Sequence, residues 1–147
     1  MALALFHPAR SCRVLVVQRP PWDTDLPGIW GLPAASLFPW ESVEEAAQRC
    51  ARTKLGAKVY IQGLLGEAWE EGASIPHMMT LFGALPEEDN FTLPPAVPGS
   101  PVTLYRAWQW ASYSVLEEGA RSGSLCCRLF LAWSAGATSS QSAGSSL

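Results

Sequence analysis

Apolar side chains run almost unbroken along "ALALF", residues 2 to 6, and "RVLVVQR", residues 13 to 19. Such runs predict two strands, and the turn-like "HPARS" between them predicts a hairpin at the edge of a domain. The Pro- and Gly-rich "PPWDTDLPGIWGLP" (20 to 33) reads as a loop. A helix is predicted over residues 43 to 55. Ser42 supplies its N-cap and Glu45 a capping box, Glu44 and Glu45 lie at the positive end of its dipole, and Arg49, Arg52 and Lys54 lie toward the negative end. Gly56 ends it. "AKVYIQGLLGEAWE" (57 to 70) and "PHMMTLFGAL" (76 to 85), rich in aromatic, aliphatic and β-branched residues, predict two antiparallel strands across "EGASI". An acidic, Pro-rich loop follows over 86 to 101. "TLYRAWQW" (103 to 110) alternates like a strand, and "SLCCRLFLAW" (124 to 133) reads as a buried closing helix or a strand, with length favouring the helix. From Ser134 the small polar residues predict a flexible tail, leaving residues 1 to 133 as one domain.

Composition narrows the function classes. With 147 residues, 48% of them hydrophobic and only 16% charged, the chain is long enough and apolar enough to bury a core. A net charge of -3 leaves no basic footprint, which argues against a long nucleic acid as partner while allowing a small anionic ligand at a local site. Cys12, Cys50, Cys126 and Cys127 have no zinc-like spacing and read as reduced thiols. No stretch is long and apolar enough to span a bilayer, so the expectation is a cytoplasmic protein without a membrane partner. His7 and His77 are isolated, and no Ser/His/Asp or Cys/His constellation stands out.

The order strand, loop, "GIWGLP", a six-residue step to Glu41, then a capped helix ending at Gly56 resembles the Nudix superfamily. The signature of that family runs Gly, five residues, Glu, seven residues, Arg-Glu-aliphatic-x-Glu-Glu-x-Gly-aliphatic. Ala35 stands at its opening Gly, Glu41 at its first Glu, Arg49 at its Arg and Gly56 at its closing Gly, without a gap. The resemblance implies an α/β/α sandwich with a mixed sheet, the box helix on one side and a C-terminal helix on the other. It also implies hydrolysis of a nucleoside diphosphate linked to another moiety, by Mg²⁺- or Mn²⁺-assisted attack of water on phosphorus.

The departures fall where that chemistry would sit. Cys50, Thr53 and Lys54 occupy the three helical Glu positions. Residues i, i+3 and i+4 share a helix face, which is how three carboxylates converge on a hard cation. Here the set offers a soft thiol, a neutral hydroxyl and a positive charge. Glu44 and Glu45 point about 120° and about 140° away from Cys50 and do not join that face. Ala34 and Ala35 stand where the family usually has two glycines, and the bulky Phe38 and Trp40 fill a loop that is usually polar.

Several side chains remain as candidates. Glu41 and Arg49 read as a surviving brace, equally well described as an ordinary loop-to-helix ion pair. Of Glu67, Glu70 and Glu71, Glu67 is the candidate for a remote carboxylate because its neighbours are apolar; otherwise the three are a solvated strand end. Lys54 and Arg52 would bind phosphate directly in place of a metal, or simply complement the helix C-terminus. Trp22, Trp30 and Trp40 would stack a base or anchor loops. The preferred reading is a Nudix-like domain with weak or no turnover that binds or senses a nucleotide-like small molecule through Arg49, Lys54, Trp30 and Trp40. The alternatives are an active metal-dependent pyrophosphohydrolase using Glu41, as metal ligand, and Glu67, and a protein-interaction module whose exposed aromatics in residues 22 to 40 form a homodimer or partner surface.

Overall fold

The computed structural model describes residues 1–70 and 77–145. Among these described residues six strands and three helices follow one another: β1 (Ala2–Leu5), β2 (Arg13–Gln18), β3 (Trp30–Gly31), α1 (Val43–Leu55), β4 (Val59–Glu70), β5 (His77–Pro86), β6 (Ala107–Ser112), a 3-10 turn (Tyr113–Leu116), α2 (Glu117–Arg121) and α3 (Leu125–Ser145). The strands form two three-stranded sheets. One is mixed, in the order β1-β5-β4, with β1 parallel to β5 and β5 antiparallel to β4; the other, β3-β2-β6, is antiparallel.

Strands β1 and β2 are covered on both faces, which explains their unbroken apolar runs. Side chains alternate across a strand. Leu3, Leu5, Leu15 and Val17 pack with Ala46, Ala47, Cys50, Ala51 and Leu55 of α1, while Ala2, Ala4, Val14 and Val16 pack with Cys126, Cys127 and Phe130 of α3. The result is the expected sandwich, with the N-terminal helix of the pair on one side and the C-terminal helix on the other.

The hairpin predicted for β1 and β2 does not form. The two strands lie in different sheets and meet through an isolated bridge between Phe6 and Val14 and one bond from the His7 N–H to the Arg13 carbonyl, 3.1 Å. The physical reason is two-sided burial: a strand apolar on both faces is stabilised inside a covered sheet, not as a ribbon at its edge. His7 Nδ1 instead accepts the N–H groups of Ala9 and Arg10 and turns the chain between them. The strand predicted over 103 to 110 sits later, at Ala107–Ser112, leaving Tyr105 ahead of it. The 124 to 133 segment is helical, and α3 continues to Ser145 through the stretch expected as a tail. No helix among the described residues is long and apolar enough to cross a membrane.

Two features place the loop between β3 and α1. Pro33 and Ala35 bond the backbone of Leu3 and Met1, and Ala2 bridges Ala34, so the start of this loop is laid against β1. Its far end is fixed by the capping box, in which Glu45 N–H donates to Ser42 Oγ at 3.1 Å and Ser42 N–H to Glu45 Oε1 at 3.3 Å. At the other end of α1, Gly56 takes φ 59° and ψ 32°, and a Cβ there would meet the Thr92 carbonyl oxygen at 3.0 Å. Left-handed backbone and backbone contact together predict that Gly56→Ala lowers stability by about 1–2 kcal/mol. Urea denaturation tests this, with the midpoint falling and the slope unchanged.

Candidate functional site

Between the β3–α1 loop, the C-terminal half of α1, the start of β5 and the segment before β6 lies a cleft of about 890 Å³. Leu37, Phe38, Met78, Met79 and Val102 give it apolar walls, and Arg19, Arg49 and Lys54 bring positive charge. No Asp or Glu belongs to its lining among the described residues.

Of the three side-chain cations two have acids of their own, while the Met1 α-ammonium, which also lines the cleft, donates to the Ala35 carbonyl at 2.9 Å. Arg19 pairs with Asp23 at 3.4 Å. Arg49 pairs with Glu41, Nη2 to Oε1 at 2.6 Å and Nε to Oε2 at 3.1 Å, and Nη2 also donates to the Ser36 carbonyl. The carboxylate in turn accepts the Phe38 N–H at 3.0 Å, and the Phe38 ring lies 4.0 Å beneath the guanidinium. Loop residues 36 to 41 are thereby folded onto one helical arginine. The hydrogen bonds from Arg49, helped by the Phe38 N–H, hold the Glu41 carboxyl below its ordinary pKa although its partial burial acts the other way.

Lys54 differs. Its residue is only 6% exposed, its ammonium donates to the Ala34 carbonyl, and it sits 5.4 Å from the centre of the Tyr105 ring. Among the described residues no carboxylate pairs with it. An ammonium has three donors, so one carbonyl leaves it with hydrogen-bonding capacity directed at the cleft it lines. Burial lowers its pKa; Cys50 opposes this, and Arg19 and Arg49 add to the lowering. Tyr105 completes the corner: its hydroxyl accepts the Ala34 N–H at 2.9 Å and burial raises its pKa.

The residues at the family's metal positions do not fit a hard divalent cation. Cys50 is fully buried in the α1-side core, and burial pushes its thiol pKa up. Thr53 is turned to its own helix, donating from Oγ1 to the Arg49 carbonyl at 2.8 Å. The third position is Lys54 itself. Mg²⁺ and Mn²⁺ take oxygen ligands, commonly carboxylates, and the side chain at this position is an ammonium. Among the described residues no group of three or more His, Cys, Asp and Glu side chains is arranged to hold a metal.

The other predicted residues are dispersed. Glu67 is exposed on β4, opposite the buried Thr80 of the cleft, and lies outside the lining; Glu71 falls outside the described residues. Trp30 packs against the α3-side core. Trp40 is 80% exposed and stacks on Phe38 with ring centres 5.2 Å apart, so it reaches the cleft only through that neighbour. Trp22 borders a separate recess with Val97 and Leu104. Glu41, Glu44, Glu45 and Arg52 line a second groove along α1, which shares Arg49 with the cleft. Tyr105 and Arg19 escape a sequence reading because nothing in their local sequence marks them; tertiary packing alone brings them to Lys54.

No protein-family model matches the sequence, and no curated protein matches it. Solved structures do. A NUDIX hydrolase from Nitrosomonas europaea is similar over 92% of this chain and 88% of its own, with a TM-score of 0.63 at 18% identity. The E. coli ORF135 protein is similar over 92% and 90%, with a TM-score of 0.62 at 19% identity. The NUDIX domain of Shewanella oneidensis NrtR, in a structure complexed with ADP ribose, is similar over 80% and 73%, with a TM-score of 0.59 at 20% identity. At such identities the likeness speaks for architecture, and the chain has the Nudix hydrolase fold.

The brace gives a prediction with a sign. A carboxylate whose folded pKa is depressed contributes stability above its unfolded pKa and loses it as pH falls through the folded value. Glu41→Gln is therefore expected to lower the melting temperature at neutral pH, and its gap from the parent protein to close under acid conditions. A gap independent of pH, measured by thermal unfolding across the carboxylate range, would contradict an electrostatic brace.

Proposed function

We propose that this Nudix-like domain binds a nucleoside-diphosphate-type ligand in the cleft without a metal ion, and acts in binding or sensing with little or no turnover. The observation that carries the reading is the Lys54 ammonium, buried at the third box-glutamate position with a backbone carbonyl and, among the described residues, no carboxylate for a partner. In a metal-dependent site, carboxylates hold a cation that in turn holds phosphate. Here a cation is fixed covalently to the helix, and phosphate oxygens accept directly from it. Arg49 contributes positive edges partly neutralised by Glu41, and the apolar wall of Leu37, Phe38, Met78 and Val102 suits the less polar part of such a ligand.

A second reading has its own observation. Leu37, Phe38 and Trp40 are 42%, 41% and 80% exposed in one short segment, a patch of the kind that joins two copies or a protein partner. Self-association abolished by Trp40→Ala in light scattering would favour it.

ADP-ribose, the ligand of the NrtR NUDIX domain, is a suitable probe for the first reading. In the presence of chelator and at about ten times its Kd, it is expected to raise the melting temperature by about 4 °C. Lys54→Glu is expected to remove that shift. Hydrolysis of ADP-ribose that requires Mg²⁺ and is lost in Glu41→Gln would overturn the reading in favour of an enzyme. No shift with ADP-ribose or any of a panel of nucleoside diphosphates would overturn nucleotide binding altogether.

A further inference from the structure

Lys54 has the setting of a reactive amine as well as that of an anion-binding cation. It lines an open cleft of about 890 Å³, and its nitrogen is held at one end by the Ala34 carbonyl and flanked by the Tyr105 ring. Arg19 and Arg49 line the same cleft, and Leu37, Phe38 and Met78 contribute apolar side chains to its wall. A lysine desolvated in an apolar recess beside other cations is the standard means of making an amine nucleophilic near neutral pH. The lowering of its pKa by burial agrees with the geometry.

We propose that Lys54 captures aldehydes covalently, the ligand class being a small phosphorylated compound that carries a free carbonyl. The neutral ε-amine adds to the carbonyl carbon, forming a C–N bond while the carbonyl electron pair moves to oxygen. Nitrogen releases a proton and oxygen gains one through solvent, giving a carbinolamine. The nitrogen lone pair then expels the hydroxyl, which leaves with a second proton as water, and an imine remains. Amine and aldehyde become imine and water, with no change of oxidation state and no co-reactant. The phosphate of the ligand would be held by Arg19 and Arg49, whose acid partners leave part of their donor capacity unused. Tyr105 and Ala34 are positioning groups that hold the nitrogen at the wall of the cleft. The inference depends on the cleft admitting small ligands, as the nucleotide reading does, but not on nucleotide recognition.

Two other amines serve as internal references: Lys58, which is exposed, and the Met1 α-amine, which lines the same cleft and donates to the Ala35 carbonyl at 2.9 Å. Pyridoxal 5′-phosphate serves as the probe, joining an aldehyde to a phosphate. The full chain is incubated with it at neutral pH, imines are trapped with cyanoborohydride, and the adducts are located by peptide mapping. The expected result is saturable labelling of Lys54 several-fold above Lys58, since a desolvated amine beside other cations is the more nucleophilic near neutral pH. Lys54→Arg, which keeps the cation but cannot form an imine, is expected to leave only the labelling of Lys58 and of the Met1 α-amine. Labelling of Lys54 equal to or below that of Lys58, in the unaltered protein, would overturn the proposal whether or not the variant folds. Because ADP-ribose binding in chelator is read separately by melting temperature, failure here leaves the nucleotide reading standing, and failure there leaves this one standing.

Discussion

An ammonium that enters a protein interior loses its hydration shell, and it is stable there only where the fold returns hydrogen bonds and favourable charge. Lys54 meets that requirement at one point, the Ala34 carbonyl, with the face of the Tyr105 ring nearby. The carbonyl is available because the backbone on either side of it is committed to β1: Pro33 bonds Leu3 and Ala35 bonds Met1. The Ala34 N–H is taken by the Tyr105 hydroxyl. One buried charge therefore ties together the end of α1, the loop before it, the first strand and the segment ahead of β6, and the cleft is the space these four leave between them.

Arg49 does for the outer part of the loop what Lys54 does for the inner part. Its guanidinium holds the Glu41 carboxylate, the Ser36 carbonyl and the Phe38 ring, so the loop keeps a fixed path although the two alanines at its start and the aromatics in its middle depart from the usual signature. The geometry of a catalytic loop and the chemistry of one are thus separable. Shape follows from an ion pair and a capping box, both kept here, whereas metal catalysis follows from a convergence of carboxylates on one helix face. At that face Cys50 belongs to the core, Thr53 bonds its own helix, and Lys54 supplies positive charge.

Much of this was legible in the sequence where the determinants are local. Ser42, Glu45 and Gly56 mark the limits of α1 because caps depend on residues within one turn of the helix end. The antiparallel pairing of β4 with β5 also follows from neighbouring segments. The supposed hairpin of β1 and β2 failed because burial on both faces, supplied by α1 and α3 from far along the chain, outweighs proximity in sequence. The site divides in the same way. The Glu41–Arg49 pair was predictable from the signature spacing, while Tyr105 was invisible, since the bond from Ala34 to its hydroxyl spans 71 residues. Trp30 and Trp40 looked alike as candidates in sequence, yet one packs on the α3-side core and the other stands in solvent beside Phe38.

The central claim is that a fixed lysine charge has taken the place of a bound metal in this cleft. Calorimetric titration of Mg²⁺ and Mn²⁺ into the purified protein, repeated with a nucleoside diphosphate present, addresses it directly. The account predicts no saturable heat from the protein in either titration beyond metal binding by the free nucleotide. Saturable binding to the protein, strengthened by the nucleotide, would contradict it and would mean that carboxylates elsewhere in the chain assemble a metal centre.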